Sequence, residues 1–213
     1  ESGKVSRMVG SIEDVTDMEN DMLKLQKEAR TDLLTGAMNR AAGTSAINRM
    51  LVQELHPGCV NTFAIVDLDN FKTLNDVMGH MWGDRALCEV VLIMKKHCRA
   101  QDIVCRLGGD EFVVLLPDMT REAAEESLRV LSAKLHIDYV KENLEVMISA
   151  SMGIVFSDGR DITFQDLYEE ADGCLYQVKR TFKGSYHISD RADRVKADQG
   201  SSCKKYAMKY RHK

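Results

Sequence analysis

Along this chain the spacing of apolar residues switches repeatedly between helical and strand-like patterns, and each switch marks an element. Val15, Met18, Met22, Leu25 and Ala29 recur at 3-4-3-4 spacing, the stripe of an amphipathic helix with coiled-coil character. The stretch before it, SRMVGSIEDVTD, reads as a short strand ending in a polar cap. A helix is expected from about Ala41 to Leu55, closed by His-Pro-Gly. TFAIVDLD then reads as a buried strand ending in acids. NFKTLNDVMGH and GDRALCEVVLIMKKHCR predict two helices joined by a glycine-containing turn. DIVCRL and EFVVLLP form a hairpin around Gly108 and Gly109. REAAEESLRVLSAKL predicts a helix, EVMISASMGIVF a strand and TFQDLYEEADGCLYQVKRTF a final helix. After Asp190 the chain is polar and basic without periodicity, the pattern of a loosely ordered tail. Strands interleaved with helix pairs and one hairpin predict an α+β domain built on a mixed sheet.

Composition narrows what such a domain can do. The 213 residues carry 29 basic and 33 acidic side chains, a net charge of -4, which argues against a general nucleic-acid binder. No apolar run approaches the roughly 20 residues needed to cross a bilayer, and direct membrane contact is not expected. No signal-peptide pattern opens the chain. It begins at Glu1, the mark of a piece of something longer, whose upstream part could carry membrane spans. Cys59, Cys88, Cys98, Cys105, Cys174 and Cys203 form no C-x-x-C pair, so reduced, cytoplasmic thiols are expected.

The chemistry concentrates at two strand ends. In IVDLDNFK, Asp67 and Asp69 fall on one face of the strand while Val66 and Leu68 fall on the other. Acids closing an apolar strand are costly unless paired, hydrated or bound to metal. If this strand lies beside the Gly-Gly hairpin, Asp67 approaches Asp110 and Glu111, and a divalent cation relieves the repulsion. Mg²⁺ suits such a site, taking hard oxygens from one or two carboxylates and the rest from phosphates and water. The plainer alternative makes Asp110 and Glu111 solvated residues behind a tight turn. Asp69 is better explained as the N-cap of the following helix. On the same edge, Lys72 could meet phosphate as a point charge. Asn75 and Asp84 together suit a guanine edge, although Asp84 could equally cap the next helix. His80 reads as a structural residue of a glycine-rich turn.

DLLTGAMNR, DLDNFKTLNDVMGHMWGD, RLGGDEF, SASMGIV and ADGCLYQVK resemble, in that order and spacing, the GGDEF family of diguanylate cyclases, over roughly Thr31 to His187. The resemblance implies a nucleotide-cyclase or polymerase palm-like fold, a central mixed, mainly antiparallel sheet flanked by helices. It implies condensation of two GTP molecules into cyclic di-GMP with release of two pyrophosphates, in a homodimer that uses Mg²⁺ or Mn²⁺. By the same resemblance, Asp67, Asp110 and the Leu68 carbonyl hold the metal, and Glu111 activates the 3′-hydroxyl. Asn75 and Asp84 read guanine, and Phe71, Lys72, Lys179 and Lys183 line the triphosphate path. Gly108 and Gly109 let a phosphate ester approach the backbone. Arg99 and Asp102, in RAQD, fall where the family binds cyclic di-GMP as an inhibitor; an exposed helix-end pair is the alternative.

Two departures stand out. Ala37 occupies a position where the family usually has Leu. KRTFKGSY replaces the usual Lys-x-x-Gly-Arg-Asn ending, placing Phe182 at the glycine and Lys183 at an arginine. Lysine supplies charge but not a planar fork, so a degenerate module that only binds GTP or cyclic di-GMP is the main rival, and a purely structural partner domain the second. VGSIEDVTD followed by a helix is similar to the last strand and linker of a PAS sensor domain. The expected organisation is therefore a sensor end and signalling helix over 1–30, a catalytic domain over 31–189 and a tail over 190–213.

Overall fold

The computed structural model describes residues 29–158 and 162–190. The predicted N-terminal strand, the stripe from Val15 to Leu25 and the tail beyond Asp190 lie outside them. The described chain runs β1 (Met38–Asn39), α1 (Arg40–Leu51), β2 (Cys59–Asp69), α2 (Phe71–Met78), α3 (His80–His97), β3 (Ile103–Gly108), β4 (Glu111–Thr120), α4 (Arg121–Lys134), β5 (Ile137–Lys141), β6 (Leu144–Ser157), α5 (Phe164–Thr181) and β7 (Tyr186–Asp190). The sheet order is β1-β3-β4-β2-β6-β5, with β7 also paired to β6. Pairing is antiparallel except for β1 on β3 and β7 on β6. This is the expected α+β architecture, a mixed and mainly antiparallel sheet covered by helices.

The central strands read as continuous apolar runs because both faces of the sheet are covered. Val66, Leu68, Phe112, Val114, Met152 and Ile154 face one core with α3 and α4. Phe63, Ile65, Val113, Leu115 and Val155 face the other with α1 and α5. Local chemistry fixes the helix starts. Asn39 caps α1 by accepting from the Ala42 amide, and Thr163 and Asp166 form a reciprocal capping box on α5. Gly153, in the centre of β6, is where α5 comes nearest: a Cβ there would lie 2.6 Å from the Leu175 nitrogen and closer still to the Ala171 carbonyl oxygen.

Several boundaries differ from the sequence reading. Helix α1 ends at Leu51, short of Leu55. Strands β1, β5 and β7 are additional, and all three lie toward the margins of the sheet. The break between α2 and α3 falls at Gly79, whose φ of 95° suits glycine alone, and not around Gly83. His80 therefore opens α3, and Asp84 sits inside that helix and not at its cap. Among the described residues none of the five cysteines is in a disulfide, and no helix is long and apolar enough to cross a membrane.

Candidate active site

Strand β2 is stitched between β4 and β6, and this pairing assembles the acids. Asp67 stands directly opposite Glu111 on β4 and Ser151 on β6. Asp110 sits in the β3–β4 turn, its carbonyl accepting from the Leu68 amide at 3.3 Å. The turn uses both glycines at positive φ, 150° at Gly108 and 54° at Gly109, conformations that an L side chain would strain. Nothing lies within 4 Å of a Cβ built on either, so the turn is open toward solvent.

The turn is braced from below. Arg106 donates to the Gly109 carbonyl through Nη2 at 2.8 Å and Nε at 3.1 Å, and its Nη1 meets Asp32 at 3.0 Å. Burial alone would raise the Asp32 pKa, but hydrogen bonds from Thr35 and Arg106 outweigh it and hold the carboxyl below its ordinary value. The DLLTGAMNR segment thus carries the strut that fixes the hairpin, a role that its sequence did not disclose.

Two carboxylates, Asp67 and Glu111, interact with one ammonium. Lys179, from the last turn of α5, lies 2.7 Å from Asp67 Oδ2. Burial pushes the Asp67 pKa up; the Lys179 contact opposes this, and Asp110 and Asp69 add to the rise. Glu111 is also raised, by burial first and then by Asp67, with Lys179 opposing and Asp110 and Asp172 adding. Tyr168, one α5 turn before Asp172, has a raised pKa through burial and the same two neighbours, Glu111 and Asp172. Sequence reading missed Tyr168 and Asp172, whose helical spacing with Lys179 (i, i+4, i+11) was the available signal.

Negative charge is in excess here, and the donors are hard oxygens. That set fits Mg²⁺ or Mn²⁺ better than any soft metal. Among the described residues no three His, Cys, Asp or Glu side chains form a ready-made metal cage. A Mg²⁺ site completed by phosphate and water does not require one.

The remaining predicted residues flank this centre. Phe71 is half-buried against the core, and Lys72 is exposed. Asn75 is half-buried and lies so close to Gly83 that a Cβ there would collide with its amide. Asp84 follows Gly83 and is exposed, so Asn75 packs against the residue just before Asp84 at the α2–α3 corner. Lys183 is exposed in the loop after α5. Phe182 is 75% exposed, and its extended backbone, with φ at -150°, makes no demand for glycine. Ala37 is fully buried in the larger core.

Asp69 departs from expectation. The N-cap position of α2 belongs to Asn70, at φ 63° and without a side-chain cap bond. Asp69 instead accepts from Ser149, Ser151 and the Gly184 amide. Arg99 and Asp102 do pair, with Nη2 to Oδ1 at 2.7 Å, but the Asp102 side chain is only 2% exposed. Arg99 also donates to the Pro117 carbonyl. Beside the pair lies a cavity of about 350 Å³ that Thr31, Lys95 and Val104 help to line.

Known proteins resemble this chain in sequence and in fold. The chain is 34% identical over 193 residues to the diguanylate cyclase DgcP of Pseudomonas aeruginosa, covering 86% of this chain and 28% of that protein. It is 34% identical over 156 residues to the response regulator PleD of Caulobacter vibrioides, covering 71% of this chain and 34% of that protein. It therefore spans only about a third or less of either relative. Among solved structures, the coiled coil and GGDEF domain of DgcB from Caulobacter crescentus, in complex with c-di-GMP, superposes with a TM-score of 0.73 at 22% identity, over 83% of this chain and 93% of that one. The diguanylate cyclase SiaD of P. aeruginosa, in complex with its activator SiaC, gives 0.70 at 27% identity, over 81% and 67%. The family model "Diguanylate cyclase, GGDEF domain" matches residues 29–185, and with the acids, the glycine turn and the lysine of its motifs gathered at one sheet edge, the chain belongs to the GGDEF diguanylate cyclase family.

Proposed function

We propose that this domain condenses two GTP molecules into cyclic di-GMP, releasing two pyrophosphates, with two domains face to face. The observation that carries the reading is the register that sets Asp67 opposite Glu111, with Asp110 in the adjoining turn. Asp67, Asp110 and the Leu68 carbonyl would hold Mg²⁺ or Mn²⁺. When bound, the metal stabilises charge on the phosphoryl oxygens and polarises the attacking hydroxyl. Glu111, its carboxyl raised by burial and by neighbouring acids, takes the proton of the 3′-hydroxyl. Asn75 and Asp84 accept and donate along the guanine edge. Phe71 supports Lys72, and Lys72, Lys179 and Lys183 meet the triphosphate. Lys179 would exchange Asp67 for phosphate as the nucleotide enters. Gly108 and Gly109 leave the turn open to a phosphate ester. One site holds one GTP, so a homodimer is required, and a sensor in the same chain is the natural source of control.

The binding-only rival rested on Phe182 and Lys183. Phe182 occupies ordinary extended backbone, and Lys183 keeps a positive charge at the exposed loop, which supports the catalytic reading. Incubation with GTP and Mg²⁺, followed by chromatography, should yield cyclic di-GMP and pyrophosphate. GTP binding without product would establish the rival instead.

Gly83→Ala tests the guanine corner. The new methyl must displace the Asn75 amide, and losing one well-placed hydrogen bond to the base costs about 0.5–1.5 kcal/mol. KM for GTP should rise roughly 2- to 13-fold with little change in kcat. Affinity for inorganic triphosphate should not change.

The Arg99–Asp102 pair supports product feedback, as the cyclic di-GMP complex of DgcB makes reasonable. Arg99→Ala should raise the inhibition constant roughly 10- to 100-fold, the loss of a charge-assisted phosphate contact, and leave the initial rate unchanged. Equal inhibition of both proteins would remove this site.

A further inference from the structure

Asp69 is the last residue of β2 and only 4% exposed. One of its oxygens, Oδ2, accepts three hydrogen bonds: from Ser151 Oγ at 2.8 Å, the Gly184 amide at 2.9 Å and Ser149 Oγ at 3.1 Å. The Gly184 N–H is shared with Ser151 Oγ at 3.2 Å. Gly184 has φ of 72°, and a Cβ there would press on Ser149 and His136 at 3.0 Å. The neighbouring Ser185 carbonyl accepts from Met152 at 2.9 Å. The loop between α5 and β7 is therefore seated on the sheet through one buried charge, and Lys183 is the residue immediately before the seated amide.

Hydrogen bonds to a carboxylate are roughly twice as strong as those to a neutral acceptor, and three converge on one oxygen here. The loop has few other anchors of that kind, since Phe182 and Lys183 are both exposed.

We propose that Asp69 is a positioning residue for the triphosphate, holding the Lys183 loop in place through Gly184 while touching neither nucleotide nor metal. This rests on the reading above that Lys183 meets phosphate.

The test uses the full chain with Asp69→Asn, Lys183→Ala and the two combined. Three measurements are made: steady-state kinetics, affinity for α,β-methylene-GTP and for guanosine, and hydrogen exchange over residues 182–190. Asp69→Asn should raise KM and weaken the GTP analogue about tenfold, with kcat within about twofold. Guanosine affinity should be unchanged, and the Gly184 and Ser185 amides should exchange faster. In the Asp69→Asn background, Lys183→Ala should add less than about twofold, since the two act through one contact. Full additivity, equal weakening of guanosine, or unchanged exchange at Gly184 overturns the proposal. If Lys183→Ala alone leaves analogue affinity unchanged, the phosphate reading of Lys183 fails and the proposal with it. If Lys183→Ala weakens binding and Asp69→Asn does not, the proposal alone fails. Should Asp69→Asn not fold, Ser149→Ala with Ser151→Ala removes two of the three donors while keeping the acid, and the same criteria decide.

Discussion

Asp110→Asn should leave a folded protein whose cyclic di-GMP synthesis is reduced by at least about 10²- to 10³-fold, the usual cost of losing a preorganised electrostatic contact to the transition state. The side chain lies in an open turn, and the fold draws nothing from it that Asn cannot supply. Its charge in fact opposes folding: Asp110 contributes to the raised pKa of both Asp67 and Glu111. An acid whose folded pKa is raised above its unfolded value destabilises the fold once ionised, and that penalty is complete above the folded pKa and relieved as the pH falls through it toward the unfolded value. Removing the Asp110 charge should therefore leave the melting temperature of the metal-free protein unchanged or slightly higher at pH 7. The two readouts should move in opposite directions, and that divergence separates a functional acid from a structural one. A variant that kept near-normal synthesis would dismiss the metal assignment. One that lost both activity and stability would mean that the turn is held by its side chain and not by Arg106.

The second large effect is expected at Gly153→Ala, a position that carries no reacting group and pairs with Ile65 in the sheet. The added methyl would meet the Ala171 carbonyl and the Leu175 nitrogen, both backbone atoms of α5. Neither can swing aside, so the helix must lift. Overpacking of this kind costs about 1–3 kcal/mol. The gain from stiffening the unfolded chain at a glycine is only about 0.4–1 kcal/mol, so destabilisation wins. For a chain of this size the melting temperature should fall by about 2–4 °C per kcal/mol. Activity should suffer more than stability, because α5 carries Lys179, 2.7 Å from Asp67. Thermal unfolding and turnover measured on the same preparation check this. Unchanged kcat together with a lowered melting point would detach Lys179 from the chemistry.

Much of this was legible in the residues, and the reasons are local. Strand β2 announced itself because it is buried on both faces, and the Gly-Gly turn because positive φ needs glycine. What stayed hidden depends on contacts between distant segments. Gly79 and Gly83 look alike in sequence, yet one supplies a left-handed break and the other a bare helix surface for Asn75. Asp69 satisfies the local rule for an N-cap, and only the seating of β6 and the loop before β7 reveals its partners. Strands β5 and β7 are short, β5 mostly exposed and β7 mostly half-exposed where described, so their apolar alternation is faint. The strut from Asp32 to Arg106 joins residues that no local pattern relates.

The place of β2 in the sheet also governs how the molecule folds. The hairpins β3–β4 and β5–β6 close over short loops, and formation of such hairpins takes about 1–10 μs. Strand β2 must then be captured between them, with Cys59 reaching Thr120 on one side and Asn61 reaching Ser157 on the other. Loop-closure entropy is lost before those pairings return any free energy, the signature of high contact order and millisecond-to-second folding. The acids proposed for catalysis therefore come together late: Asp67 meets Glu111 only when β2 has paired with the β3–β4 hairpin. For the same reason the amides from Ile65 to Leu68 can open only with the whole domain, so the acidic centre is among its slowest-exchanging regions even though the glycine turn beside it stands open to solvent.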